Sequence, residues 1–179
     1  MPKVITIPEK KVTVYEFKEL SEAVKQKVLE KMCYINVEFF EWWESTYEDA
    51  ERIGLEINGF DIDRGSYCKG EFTLSANEVA QNIFNEHGEH CNTFATASAF
   101  MEDWQPVFND YMDENSKDYE SQDLEGKLQD LEADFLNDIC NDYLKMLRND
   151  YEYQTSKEGI IETIEANDYQ FLEDGKQYI

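Results

Sequence analysis

Two short segments contain residue types that bind metals or perform acid–base chemistry. Asp61 and Asp63 stand two positions apart in "GFDIDRG", and on a strand both carboxylates project from one face, which suits a divalent cation. His87, His90 and Cys91 lie together in "EHGEHC", and imidazole and thiolate are zinc ligands. A metal-dependent enzyme built on one of these segments is therefore one alternative for this chain.

Both segments also have a purely structural interpretation. The Asp-x-Asp pair precedes a turn, where two solvent-facing carboxylates are ordinary. Zinc would need a fourth ligand from far along the chain, for example Cys68, and the sequence has no second paired cluster. Gly88 indicates a helix end, where histidine interacts well with the helix dipole. We therefore predict no metal ligands and no cofactor.

Sequence patterns of the common catalytic sites are absent. The chain has no P-loop, no GxGxxG and no nucleophile-elbow glycine pattern. Any carboxylate pair for glycoside hydrolysis would be picked from 40 acidic residues, so the choice carries no information. A serine or cysteine triad assembled in space is not readable from spacing. We predict a protein that is not an enzyme and has no catalytic residues.

The net charge is the strongest signal in the composition. Sixteen basic residues stand against 40 acidic ones, for a net charge of −24, which repels the phosphates of nucleic acids and anionic membranes. Residues 1–31 carry seven Lys and five Glu, whereas residues 102–142 carry fourteen acids against two Lys. Long-range attraction favours a basic partner. We predict a basic nucleic-acid-binding protein as partner, with no direct DNA binding and no membrane association.

Aspartate returns every fourth residue in "LQDLEADFLNDICNDYLKML", at Asp130, Asp134, Asp138 and Asp142. On a helix this step advances about 6 Å and turns about 40°, so the four form a slowly winding row along one flank of the apolar stripe. Like charges at this spacing destabilise a helix. A spacing of about 6 Å is of the order of that between duplex phosphates. The row predicts a phosphate-like surface, and the alternative is a solvated helix face in a very acidic protein. Asp142 drifts towards the apolar stripe, so we expect the helix to end, bend or meet another element there.

Small, strongly acidic proteins without catalytic motifs include counter-defence proteins of phages and mobile elements. The chain resembles this class, which contains anti-CRISPR proteins and DNA-mimic anti-restriction proteins, in its size, its charge and its carboxylate rows at 38–51 and 102–142. The resemblance implies a non-enzymatic inhibitor that occupies the nucleic-acid channel of a defence nuclease, such as Cas9 or a restriction enzyme, in the host cytoplasm. An antitoxin-like or regulatory module that binds a basic protein without mimicking DNA is the alternative. The candidate partner-binding residues are Glu41, Glu44, Glu48, Asp113, Glu114, Asp123, Asp130, Asp134, Asp138 and Asp142.

The elements that must position these carboxylates are mostly helices. With 41% hydrophobic and 14% aromatic residues, the 179 residues predict one domain over 1–179, of the α+β class, helix-dominated with a small antiparallel sheet. Strands are expected at 11–17, in a hairpin over 55–63 and 67–74 with a bulge near Gly59, and in a terminal hairpin at Asp174-Gly175. Three helices are expected in the first half of the chain: one from the Ser21 N-cap to Ile35, one over 37–54 that ends at Gly54, and one that begins at the Ser75/Glu78 capping box. A fourth is expected over 92–113, with a kink or break at Pro106. After a polar loop at 114–126, two more helices are expected over 124–146 and 155–168.

Two further features bear on packing and on the compartment. The aromatic run Phe39, Phe40, Trp42 and Trp43 is typical of a core. The four cysteines show no CxxC pairing, and the first residues have no apolar core of signal-peptide length. No stretch approaches a membrane span. We expect a cytoplasmic protein with free thiols.

Overall fold

The structure is a computed structural model that describes residues 11–39, 41–113 and 120–179, with side chains in the last range from residue 123 onward. Its class is α+β and helices dominate, as predicted. The chain forms two compact units: the first contains residues 1–40 and 152–179, and the second contains residues 41–151. Each unit has its own antiparallel sheet, so the single small sheet expected from the sequence is two sheets. The single domain expected over 1–179 stays a prediction.

The described ranges contain six α-helices and five strands. The helices are α1 (Glu22–Lys31), α2 (Glu44–Ile53), α3 (Ala76–Glu86), α4 (Asn92–Met112), α5 (Glu120–Gln154) and α6 (Lys157–Ala166). The strands are β1 (Tyr15–Glu16), β2 (Leu55–Asp61), β3 (Tyr67–Phe72), β4 (Gln170–Phe171) and β5 (Gln177–Tyr178). No helix in these ranges is both long and apolar enough to cross a membrane.

The first unit is organised around a small three-stranded sheet in the order β1-β4-β5, with both pairs antiparallel. The terminal hairpin is confirmed, and Gly175 takes a φ of +85° at its turn, a conformation that favours glycine. The strand expected at 11–17 is shorter, because the chain enters a 3-10 turn at Phe17 before α1. The buried core of this unit consists of Phe17, Leu20, Val28, Leu29, Ile160, Ile164 and Phe171.

The second unit packs the β2–β3 hairpin against helices. The hairpin and its irregular register between Ile57 and Gly59 are confirmed. Gly54 ends α2 with a φ of +91°, and Ser75 opens α3 with a reciprocal capping box to Glu78, both as predicted. The largest fully buried side chains of this unit belong to Ile53, Leu55, Val79, Ile83, Ile139, Tyr143 and Leu147.

A chain of aromatic rings joins the hairpin to the two longest helices. The Phe135 ring of α5 is 3% exposed and stacks on Phe100 of α4, with ring centroids 4.2 Å apart and planes 7° apart. The Phe72 ring of β3 also contacts Phe135, with ring centroids 5.3 Å apart. Phe135 therefore links three elements of one core.

The acidic helix expected over 37–54 begins only at Glu44. Trp42 and Trp43 stand before it, and both rings pack on Phe60 of β2, at 5.6 and 5.9 Å between ring centroids. This packing fixes the chain in a turn ahead of the helix. The expectation of a core position is wrong for Phe39, which is 79% exposed, and Phe40 lies outside the described residues.

The expected division of the fourth helix at Pro106 does not occur, and α4 is continuous from residue 92 to 112. Proline removes the hydrogen bond to the carbonyl of Glu102, and both residues lie on the exposed face of the helix. On the inner side Trp104 and Phe108 stack at 4.4 Å across the proline position. Tertiary packing therefore outweighs the local cost of proline.

The helix α5 begins at Glu120, earlier than the sequence indicated. The last part of the polar loop expected at 114–126 is helical, and residues 114–119 lie outside the described ranges. With 35 residues, α5 is about 52 Å long and provides an extended support for side chains.

Candidate protein interface on α4 and α5

The aspartate row of α5 divides into an exposed part and a buried end. Asp130, Asp134 and Asp138 are exposed, and among the described residues their carboxylates have no ion-pair or hydrogen-bond partner. Asp142 is only 5% exposed: its Oδ2 accepts a hydrogen bond from Thr96 of α4 at 2.6 Å, and its Oδ1 lies 2.9 Å from Lys145 Nζ. The predicted drift of Asp142 into contact with another element is confirmed. The row that a partner can reach therefore has three members, and Asp142 is removed from it.

A groove between α4 and α5 brings carboxylates of the two helices together. It encloses about 470 Å³, and Asp134 and Asp138 of α5 line it with Asp103 of α4. Its other lining residues are Ala95, Thr96, Ala99, Phe100, Leu131 and Phe135. We call this cavity the acidic groove. An arginine side chain suits such a surface, because its stem packs on apolar atoms while its guanidinium binds carboxylates.

Asp103 is the residue that the sequence analysis did not single out. It counted among the acids of 102–142, but its place beside Asp134 depends on how α4 packs against α5. The available signal is that Asp103 lies one position before Trp104, which is 6% exposed and faces the core. A neighbour of a core residue lies at the edge of the packed face, where a groove between helices opens.

The remaining candidate residues do not line the acidic groove. Glu41 lies before α2, Glu44 and Glu48 are exposed on α2, and Asp113 is exposed immediately after α4. Asp123 is exposed and paired with Lys127 at 3.1 Å. Glu114 lies outside the described residues.

The negative charge is concentrated in the second unit. Residues 41–151 contain 27 acidic and 7 basic residues, a net charge of −20. Residues 1–40 and 152–179 contain 13 acidic and 9 basic residues, a net charge of −4. The acidic groove therefore lies in the unit with the stronger attraction for a basic partner.

The segments considered for metal binding have other roles. Within the described ranges, no group of three His, Cys, Asp or Glu side chains could hold a metal ion. Asp61 Oδ1 accepts a hydrogen bond from the Asp63 amide at 2.7 Å, which stabilises the turn after β2. Cys68 is partly buried and packs against the core of the second unit, and a hydrogen bond with the Cys140 thiol together with burial raises the pKa of its thiol.

A polar network around Asp49 ties four helical segments of the second unit together. Asp49 of α2 accepts a hydrogen bond from the fully buried Tyr143 of α5 at 2.9 Å and pairs with Arg52. His87 follows α3 and faces Asp49 with Nε2 at 3.4 Å, while its Nδ1 lies 2.7 Å from the Thr93 hydroxyl of α4. The facing His87 ring, the Tyr143 hydroxyl and Arg52 hold the pKa of Asp49 below its ordinary value.

We expect Asp49→Asn to destabilise the fold by about 1–3 kcal/mol at neutral pH, because the buried Tyr143 hydroxyl loses its charged acceptor. The carboxylate has a lower pKa when folded than when unfolded, so its stabilisation is present above the ordinary pKa of 3.8 and is lost as the pH falls through the folded value. Urea unfolding of both proteins from pH 7 downwards should therefore give a difference that shrinks below about pH 4. Asp63→Asn is the matched control, since that carboxylate is exposed. A difference that stays constant with pH would contradict the role of the Asp49 charge.

Comparison of the chain with protein families, with curated proteins and with solved structures finds no match.

Proposed function

We propose that this protein is a non-enzymatic inhibitor of a host defence nuclease, a CRISPR effector such as Cas9, and that it blocks nucleic-acid binding with an acidic DNA-mimicking surface. The observation that carries the proposal is the exposed, unpaired aspartate row of α5, with Asp103 across the acidic groove. A nuclease channel holds phosphates with Arg and Lys side chains. Carboxylates bind the same side chains through charge-assisted hydrogen bonds.

The repulsion between the aspartates of the row destabilises the free protein, and this supports the proposal that the row serves a partner. Asp130, Asp134 and Asp138 repel each other along α5, and within the described residues no cation lies within ion-pair distance of them. Lys145 and Lys127 lie on the same helix but pair with Asp142 and Asp123. A basic partner removes the repulsion when it binds, which adds to the affinity.

A competition experiment tests the proposal. Purified protein is titrated into guide-loaded Cas9 with a fluorescently labelled target duplex, and DNA binding is followed by fluorescence anisotropy. We expect the apparent dissociation constant for DNA to rise linearly with the protein concentration, starting from its value without the protein. The effect should weaken as salt increases from about 0.05 to 0.2 M, because ions screen the contacts.

Parallel titrations with a set of CRISPR effectors and restriction endonucleases separate the nuclease classes. DNA displacement from one class supports the proposal and identifies the target type. Binding to a nuclease without displacement of its DNA would contradict mimicry and favour the acidic interaction module. If the protein displaces DNA from none of the nucleases in the set, the proposed function is rejected.

A further inference from the structure

Two of the four cysteines lie together in the core of the second unit, although Cys68 and Cys140 stand 72 positions apart in the chain. Cys140 of α5 is 5% exposed and belongs to the buried cluster of this unit. Cys68 of β3 is partly buried and packs against the same cluster. The proposed inhibitor surface uses neither side chain, because neither lines the acidic groove.

The two elements that carry these thiols are held together by neighbouring contacts. Side chains alternate along a strand, so Cys68 and Phe72 of β3 project from the same face. The Phe72 ring contacts Phe135 of α5, and Cys140 follows five positions later on that helix. The Cys140 thiol also has a hydrogen bond with the backbone of Gly70 in β3. The strand therefore contacts α5 at two places, and Cys140 lies at the second of them.

The two thiols are direct neighbours. The Cys68 thiol donates a hydrogen bond to the sulfur of Cys140, which leaves no other residue between the two sulfur atoms. A disulfide between a strand and a helix requires that the two side chains point towards each other, and a hydrogen bond between them meets that condition. This hydrogen bond and burial raise the pKa of Cys68, so thiolate is scarce at neutral pH and the reduced pair reacts slowly.

We propose that Cys68 and Cys140 are a redox-sensitive pair, which hydrogen peroxide converts to a disulfide between β3 and α5. Peroxide oxidises the sulfur of Cys68, the more exposed of the two, to a sulfenic acid and releases one water molecule. The sulfur of Cys140 then attacks the sulfenic sulfur, the S–S bond forms, and the hydroxyl group leaves with the Cys140 proton as a second water molecule. Two thiols thus lose two electrons to one peroxide molecule.

The disulfide ties the β2–β3 hairpin to the helix that carries the aspartate row. A cross-link between positions so far apart in the chain removes much of the conformational freedom of the unfolded state. The oxidised protein should therefore melt about 5–15 °C above the reduced protein, and dithiothreitol should reverse the shift. The proposal is independent of the inhibitor function, because it concerns the core and not the acidic groove.

Mass spectrometry of the oxidised full chain tests the proposal. The native protein is treated with hydrogen peroxide, the remaining thiols are alkylated in denaturant, and the digest is searched for cross-linked peptides. We expect a mass loss of about 2 Da before alkylation and a Cys68–Cys140 peptide as the main cross-linked product. Cys33, in the core of the first unit, and Cys91, exposed before α4, should remain alkylatable. The same oxidation in urea should give mixed pairs, because the fold no longer holds the two thiols together.

A pair of serine variants separates this disulfide from general thiol oxidation. Cys68→Ser changes a partly exposed position and should abolish both the mass loss and the rise in melting temperature. Cys91→Ser removes the exposed thiol and, as the matched control, should retain both. A main cross-link through Cys33 or Cys91, or oxidation of Cys68 to the sulfinic acid without a cross-link, would overturn the proposal. A Cys68–Cys140 disulfide that leaves the melting temperature unchanged or lowers it would overturn it as well.

Discussion

Replacing Asp130, Asp134 and Asp138 together by asparagine is expected to weaken inhibition of the target nuclease by about 10- to 100-fold, or about 1.4–2.8 kcal/mol in binding free energy. These three exposed carboxylates have no partner among the described residues, so their loss removes contacts with the target and no internal contact. Asp142 is left unchanged, because it bonds Thr96 and Lys145 and its replacement would perturb the fold. The measurement is the concentration needed to displace labelled DNA, at two salt concentrations.

The matched control changes the same number of charges elsewhere in the acidic unit. Glu56→Gln, Glu71→Gln and Asp63→Asn alter exposed residues of the β2–β3 hairpin and the turn after β2, and two of them, Glu56 and Glu71, are cross-strand neighbours. If the α5 row forms the contact, this control retains nearly full inhibition. Equal losses in the two triple variants would show that net charge acts without an organised surface. Full inhibition by the α5 variant would reject the row as the binding surface.

The triple variant should also stabilise the isolated protein slightly, since like charges four residues apart destabilise a helix. A gain in stability together with a loss of inhibition is characteristic of residues that serve a partner. Loss of both would instead indicate a structural role. The melting temperature of the free variant should therefore be measured beside its inhibition in the competition experiment.

Local signals in the sequence predicted the local features of the fold. Gly54 and Gly175 supply left-handed backbone, and the Ser75 capping box fixes the start of α3, because each depends on a few neighbouring residues. The aspartate row followed from helical spacing alone, and so did the drift of Asp142. These predictions need only the geometry of one element.

Features that depend on contacts between elements escaped the sequence. Asp103 joins the acidic groove only because α4 packs against α5, and no pattern in either helix specifies that pairing. Pro106 remains inside a helix because Trp104 and Phe108 stack across it, which propensity does not include. The helix expected from residue 37 begins only at Glu44, because Trp42 and Trp43 pack on Phe60 of the hairpin.

The second large effect is expected for Phe135→Ala, which should reduce the free energy of unfolding of the second unit by about 3–5 kcal/mol. The ring is 3% exposed and contacts Phe100 and Phe72, so its removal opens a cavity between α5, α4 and β3. Phe135 also lines the acidic groove, so the variant should lose the arrangement of the aspartates above it. Its inhibition should therefore fall although no charge changes.

Tryptophan fluorescence during urea unfolding measures this prediction, because all three tryptophans, Trp42, Trp43 and Trp104, lie in the second unit. Tyr111→Ala on α4 is the control: that ring is 39% exposed, and its removal should cost less than about 1 kcal/mol. If both variants lost a similarly small amount of unfolding free energy, that would contradict a core centred on the stacked rings. A large loss confined to Phe135→Ala would show that the buried aromatic stack supports the surface on which the carboxylates lie.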